Sequence, residues 1–190
     1  MSKLILKSVS VGVVLSSLVA CTTVAPKYTP SPENVNRLRD AGADPIKVGE
    51  FQAAQGSGEA VNHLSIRGGS FVSPYEGSYV NYIKEAVRQE LDDARLLNAN
   101  ATVELTGLLV RNEINAAGFS KADAQIEARF VVKRGGQVRY DKVKTAKYEW
   151  ESSFVGAVAI PRAQQNYPVV VQRLLADLYS DPEFLAAIKK

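Results

Sequence analysis

A chain of 190 residues with 23 Lys and Arg against 20 Asp and Glu carries a formal net charge of +3, and it is long enough for one domain with a core of its own. Its single Cys and single His exclude a disulfide framework, a thiolate metal centre and a histidine-rich metal site. Two of its lysines, Lys3 and Lys7, lie ahead of an early apolar stretch. Removing the first 20 residues leaves 170 with a net charge of +1, which takes away the basic balance that nucleic-acid binding needs.

Residues 1–20 have the layout of a secretory signal. Lys3 and Lys7 give a positive start, and Val9 to Ala20 is apolar apart from Ser10, Gly12, Ser16 and Ser17. The run is shorter than the ~20 apolar residues of a membrane-spanning helix. Its end, Leu18-Val19-Ala20-Cys21, resembles the bacterial lipoprotein box. That resemblance implies cleavage between Ala20 and Cys21, diacylation of the Cys21 sulfur, acylation of the new amino terminus and attachment to a membrane. Thr22 in the next position implies, by the same resemblance, the outer membrane, because retention at the inner membrane goes with Asp there.

Thr22 to Pro45 reads as a tether. Pro26, Pro30 and Pro32 interrupt regular structure among Thr, Ser, Asn and Glu, with room for one helical turn over Asn34–Asp40. The expected organisation is a signal peptide over 1–20, a lipidated Cys and flexible tether over 21–45, and a single periplasmic domain over 46–190.

Within that domain, Ile46–Phe51 and Val61–Arg67 alternate as strands, separated by a Gln55-Gly56-Ser57-Gly58 turn. Ser73-Pro74-Tyr75-Glu76 fits a capping box, with Ser78 as an alternative cap because Gly77 weakens the first turn. Tyr79, Val80, Ile83, Val87, Leu91 and Ala94 then recur at three and four, predicting an amphipathic helix. Three alternating strands follow, carried by Ala101–Leu109, Ala124–Val132 and Val138–Trp150, with a hairpin at Arg134-Gly135-Gly136-Gln137. Lys142 and Lys144 share the parity of the apolar residues, which argues for a bulge or for a strand running past the core. Phe154 to Pro161 is an apolar connection. A second helix is expected near Asn166 and Pro168, and Ser180-Asp181-Pro182-Glu183 stops it and caps a short terminal helix. The fold class expected is α+β, a two-layer sandwich of a mainly antiparallel sheet with two amphipathic helices packed on one face.

The helix Tyr79–Ala94, the strand Ala101–Val110, the Gly135-Gly136 hairpin, the Phe154-Val155-Gly156-Ala157 stretch and the closing Ser180-Asp181-Pro182-Glu183-Phe184 resemble the YajG-like group of small proteobacterial outer-membrane lipoproteins. That group is loosely similar in fold to auxiliary lipoproteins of lipid-transport ABC systems. The resemblance covers Tyr79 to Ile188; it implies a location and a fold and carries no catalytic residues with it.

Signals for chemistry are sparse. No Gly-x-Ser-x-Gly elbow, Walker loop or Gly-x-Gly-x-x-Gly fingerprint occurs. His63 lies in a predicted strand and reads as structural or surface, and Asp92-Asp93 as a solvated helix face. Arg67-Gly68-Gly69-Ser70 reads as a turn needing positive φ, with an anion site as the alternative. Tyr140, Tyr148 and Trp150 on one strand face read as core. The expectation is therefore a protein that is not an enzyme, with no catalytic, cofactor or metal site. Its partners would be the membrane, through Cys21, and another envelope protein. Phe154, Val155, Val158 and Ile160 are the candidate contact surface, or else filler between sheet and helix. The alternative function is an accessory role in lipid or lipopolysaccharide transport, docking on a transporter or shielding an acyl chain.

Overall fold

A computed structural model describes residues 22–189, so the expected signal peptide over 1–20 and the expected lipidation site at Cys21 lie outside the described residues. The central sheet has the strand order β2-β5-β6-β7, formed by β2 (Ile46–Ala53), β5 (Val103–Asn115), β6 (Lys121–Arg134) and β7 (Gln137–Glu151). The last three make an antiparallel meander, whereas β2 lies parallel to β5. A second, three-stranded sheet has the order β1-β4-β3, from β1 (Thr22–Val24), β3 (Leu64–Ile66) and β4 (Gly69–Val72), with β1 parallel to β4. Both sheets are mixed, and the α+β sandwich holds.

Alternation sets the two faces of the meander. Val103, Leu105, Leu109, Ala124, Ile126, Ala128, Phe130 and Val132 are buried on one face. The other face carries ion pairs such as Lys47–Glu104 and Arg129–Asp141, as a sheet with one face to water requires. Gly107 sits on the buried face because the Phe51 ring crosses it; a Cβ there would meet the ring at 2.4 Å. Gly135 and Gly136, both at positive φ, make the tight turn between β6 and β7.

The two lysines of β7 combine both expected explanations. Val132 faces Tyr140 while Lys133 faces Val138, so a bulge falls at Arg139. Beyond it Lys142 and Lys144 point to the helical side. There Lys144 meets Asp181 at 2.9 Å and Asp177 at 3.4 Å, and Lys142 meets Glu183 at 2.7 Å.

The helical layer consists of α1 (Pro32–Asp40), α2 (Tyr79–Asp93), α3 (Gly156–Ser180) and α4 (Pro182–Ile188). Ser78, not Ser73, caps α2: its side chain accepts from the Asn81 N–H, and Asn62 Oδ1 accepts from the Tyr79 N–H at 2.7 Å. Glu76 and Gly77 both take positive φ, a conformation that cannot continue a right-handed helix, so the Ser73-Pro74 capping box closes a turn instead. Val61 and Asn62 belong to a 3-10 turn over Gly58–Asn62, and β3 is confined to Leu64–Ile66, leaving His63 outside a strand.

Helix α3 begins ten residues before the expected start at Asn166 and contains both Pro161 and Pro168. Its buried side, Ala159, Ala163, Tyr167, Val170, Val171, Leu174, Leu175 and Leu178, runs continuously through both prolines. This tertiary burial outweighs the hydrogen bonds the prolines remove. Between them, Asn166 Nδ2 donates to the Arg162 carbonyl at 2.7 Å.

The expected tether over 21–45 is corrected most strongly. Thr22, the first described residue, is already in a strand, with Thr22, Thr23 and Val24 opposite Ser70, Phe71 and Val72. Ser31 caps α1, Pro32 occupies its first turn, and Ala25, Tyr28, Val35, Leu38 and Ala41 are buried. Residues 22–41 form an arm packed along α2 and α3. Burial of five apolar side chains, each worth up to ~1.5–3 kcal/mol for the larger ones, opposes the entropy that would keep the arm loose.

Candidate functional site

Two regions gather side chains that could do more than fill space, and the first lies in the interior. Glu90 on α2 is fully buried, and its Oε1 accepts from Tyr28 Oη at 2.6 Å, the Ser31 N–H at 2.9 Å and Asn34 Nδ2 at 3.2 Å. Burial pushes the Glu90 carboxyl above its ordinary value, against the hydrogen bonds from Tyr28, Ser31 and Asn34 that favour the ionised form. Every donor comes from the arm, so this carboxyl is an anchor point.

Around it, Tyr79, Tyr82, Tyr167 and Phe71 pack edge to face or tilted, with ring centroids 5.1–6.2 Å apart. Their hydroxyls reach the Phe71 carbonyl from Tyr79, the Pro26 carbonyl from Tyr82 and Asn112 Oδ1 from Tyr167, each at 3.0 Å. Burial raises the phenols of Tyr79, Tyr82 and Tyr167 far above the usual range, so they stay neutral and structural. The aromatic cluster joins β4, α2 and α3 through ring contacts.

On the β7 side of the C-terminal end of α3, Asp181 caps α4 by accepting from the Glu183 N–H at 2.8 Å, and also accepts from Tyr140 Oη at 3.1 Å. Burial alone would raise its carboxyl. Hydrogen bonds from Lys144, the Glu183 N–H and Tyr140 outweigh that and hold it well below the ordinary carboxylate range. Tyr140, predicted as core, is buried with its hydroxyl satisfied here, and Trp150 is buried on the same strand face.

His63 and Arg67 take different roles. His63 borders a surface cleft of about 390 Å³ with Ser57, Ser65 and Asn112. Ser57 Oγ donates to the Val110 carbonyl, while Asn112 bridges the Val61 carbonyl and Tyr167, so both are already engaged in the fold. Among the described residues no group of three His, Cys, Asp or Glu side chains could hold a metal ion. Arg67 and Gly68, both at positive φ, form the β3–β4 turn, and the Arg67 side chain leaves that turn to bind elsewhere. Its guanidinium donates to the carbonyls of Ala117 at 3.0 Å, Gly118 at 2.7 Å and Ser153 at 2.6 Å, and lies 5.4 Å from the Phe154 ring centroid. The Ser152 N–H donates to the Ser120 carbonyl at 2.7 Å. Two loops are thereby tied into one ledge.

That ledge carries the second region, an exposed apolar surface. Phe154 is 63% exposed, Val155 56% and Val158 38%, which sets aside the filler alternative for these three. Ile160, the fourth residue expected there, packs against the core instead, because it falls on the inward side of α3. Sequence reasoning missed Phe119, which is 79% exposed and stacks on Phe154 with centroids 5.2 Å apart and planes 16° apart. Its signal was a lone aromatic in a Gly-Phe-Ser loop, a position where a turn residue would serve the backbone better. Asp92 and Asp93 are exposed on α2 as expected.

No family model matches the chain, and no curated protein matches it. Among solved structures it is similar to protein XCC0632 of Xanthomonas campestris, a protein of family DUF330, with a TM-score of 0.53 at 15% identity over 82% of this chain and 92% of that one. Protein CT253 of Chlamydia trachomatis gives a TM-score of 0.49 at 10% identity, over 76% of this chain and 99% of that one. A minor lipoprotein from Acinetobacter baumannii gives 0.37 at 11% identity, over 72% and 90%. The likeness to XCC0632 shows a shared α+β fold.

Proposed function

We propose that this protein is a lipid-anchored envelope lipoprotein of the YajG-like kind, held in the outer membrane through Cys21 and facing the periplasm. Its folded domain acts by binding another envelope component rather than by catalysis. The observation that carries this reading is the junction between the signal and the fold. The lipoprotein-box pattern ends at Cys21, and the first described residue after it, Thr22, is already paired in a sheet. Among the described residues no helix is long and apolar enough to cross a membrane, so membrane attachment falls to the acyl chains. Each buried CH₂ contributes about 0.8 kcal/mol, and two or three chains make attachment effectively permanent.

With no tether, the domain does not range over tens of ångströms. It stands against the leaflet in a restricted orientation, which suits a protein whose work is done at a surface. Support for binding over catalysis comes from the carboxylates. Glu90 faces three donors from its own chain and Asp181 caps a helix, so neither is arranged toward a substrate. The ring contacts that join Tyr79, Tyr82 and Tyr167 between α2 and α3 count against shielding of an acyl chain at that point.

The test is mass spectrometry of the mature amino terminus together with membrane fractionation of Cys21→Ala. The expected result is a triacylated or diacylated Cys21 peptide, and release of the Cys21→Ala variant from the membrane fraction. An unmodified Cys21, or a Cys21→Ala variant that stays with the membrane, would refute the anchor.

A further inference from the structure

We infer that the component bound by the apolar ledge is the phospholipid surface itself: Phe119, Phe154, Val155 and Val158 lie in the headgroup layer of the membrane that holds Cys21. This rests on the lipid anchor and names the partner of the surface described above.

Three observations converge. The ledge is apolar, contiguous and uncovered, with two phenylalanines 79% and 63% exposed and stacked on each other. Exposed apolar groups of this size mark a contact surface. It is also rigid. Arg67 binds three carbonyls beneath it and Val155 N–H donates to Ser153 Oγ at 3.1 Å, so the rings are held outward by the fold, at no ordering cost on contact.

The third observation is where the chain outside the structure begins. Thr22 pairs with Ser70 in β4, and Arg67 is three residues before Ser70, at most about 10 Å of chain. On the other flank, Gln164 Nε2 of α3 donates to the Val24 carbonyl at 2.9 Å, and Val24 is itself exposed. Gln164 is two turns along the helix from Val158 and Gly156. The start of the arm and the ledge are thus fastened near the same end of β4 and to the N-terminal half of α3. A bilayer held at residue 21, with no slack in the chain, meets this end of the domain first. A protein partner would have to take the place of that bilayer. Shallow insertion of aromatic and aliphatic side chains into the headgroup and acyl boundary is the chemistry such a surface supports.

The experiment uses the full, acylated chain reconstituted into vesicles of phosphatidylethanolamine and phosphatidylglycerol. An environment-sensitive fluorophore is attached at Phe154→Cys or Phe119→Cys, and at Thr145→Cys as a control, since Thr145 is exposed on the outer face of the sheet. Flotation of the vesicles reports the anchor separately. The expected result is flotation of all three proteins, a blue shift at positions 154 and 119 with quenching by headgroup-labelled lipid, and neither effect at 145. Replacing both phenylalanines by Ser (Phe119→Ser, Phe154→Ser) should keep flotation of the acylated chain, because the anchor alone holds it on the vesicle. Flotation with position 154 as water-exposed as 145 overturns the proposal and leaves the anchor standing. A shift at 154 seen in whole envelopes but absent from pure lipid vesicles overturns it in favour of a protein partner. Failure to float overturns the anchor, and this contact with it.

Discussion

The arm over residues 22–41 and the meander of β5, β6 and β7 are held by different kinds of contact. The meander is held by many equivalent ones: two long antiparallel ladders and a face of Val, Leu, Ile, Ala and Phe side chains. The arm is held by a few dissimilar ones. It has three residues of parallel strand, a nine-residue helix, and a cluster of donors that converges on a single carboxylate oxygen of Glu90. In the meander the loss of one contact is spread over its neighbours, whereas in the arm one atom carries several. The two regions should therefore fail differently.

The largest effect is expected from Phe130→Ala. Phe130 is fully buried at the middle of the sheet, edge-on to Phe51 at 6.5 Å. Its removal should cost about 3–5 kcal/mol, read as a lowered denaturation midpoint. Because this contact belongs to the shared core, hydrogen exchange in the arm and in the meander should rise together. An arm that keeps its protection would show that it folds independently of the sheet.

Glu90→Ala reverses the pattern. It leaves the Tyr28 hydroxyl and the Ser31 N–H without their acceptor, and Asn34 with only the Gln172 carbonyl. The expected cost is about 2–4 kcal/mol, with exchange increased over residues 22–41 while β5–β7 stay protected. Its pH dependence follows from the direction of the shift. The Glu90 carboxyl lies above its ordinary 4.5 when folded. Its contribution is therefore fully present below about 4.5 and is lost as pH rises through the raised value. Relative to the intrinsic exchange rate at each pH, the arm should be more protected in mild acid, and Glu90→Gln should remove that dependence. If the arm's protection factors are flat with pH, the carboxyl is not what holds it.

The same contrast explains what could be read from the residues in order. Alternation in β5, β6 and β7 is a local pattern, so parity alone assigned the buried face. The arm has no local pattern. Its buried residues are sparse and set among prolines, and its partners lie 47 to 143 residues away in the chain. Local rules also misled where two stretches share a grammar. Ser31-Pro32 and Ser73-Pro74 both present a cap followed by Pro, yet the first starts a helix and the second a turn. What separates them is positive φ at Glu76 and Gly77; Gly77 was visible and Glu76 was not. The ledge was half legible for a related reason. The apolar run from Phe154 to Ile160 is evident, but whether a member faces out depends on where α3 begins. That start lies before two prolines which, read locally, argue against a helix. Phe119 could be joined to the run only by Arg67 and the Ser152–Ser120 bond.

A smaller effect comes from the joint between meander and terminal helix, where the charge logic is opposite to that of the arm. Asp181 is held below its ordinary 3.8, so its contribution is present above that value and is lost as pH falls through the depressed one. Asp181→Ala removes the α4 cap and the acceptor of Tyr140, and leaves Lys144 with Asp177 alone. The cost should be about 1–2 kcal/mol, confined to faster exchange over residues 182–189. Acidification below about pH 3.8 should reproduce that loss in the wild-type chain while the arm, with Glu90 protonated, keeps its protection. The arm and the terminal helix would then respond to pH in opposite directions, each governed by one buried carboxylate. Simultaneous loss of protection in both in acid would show that they share one cooperative unit instead.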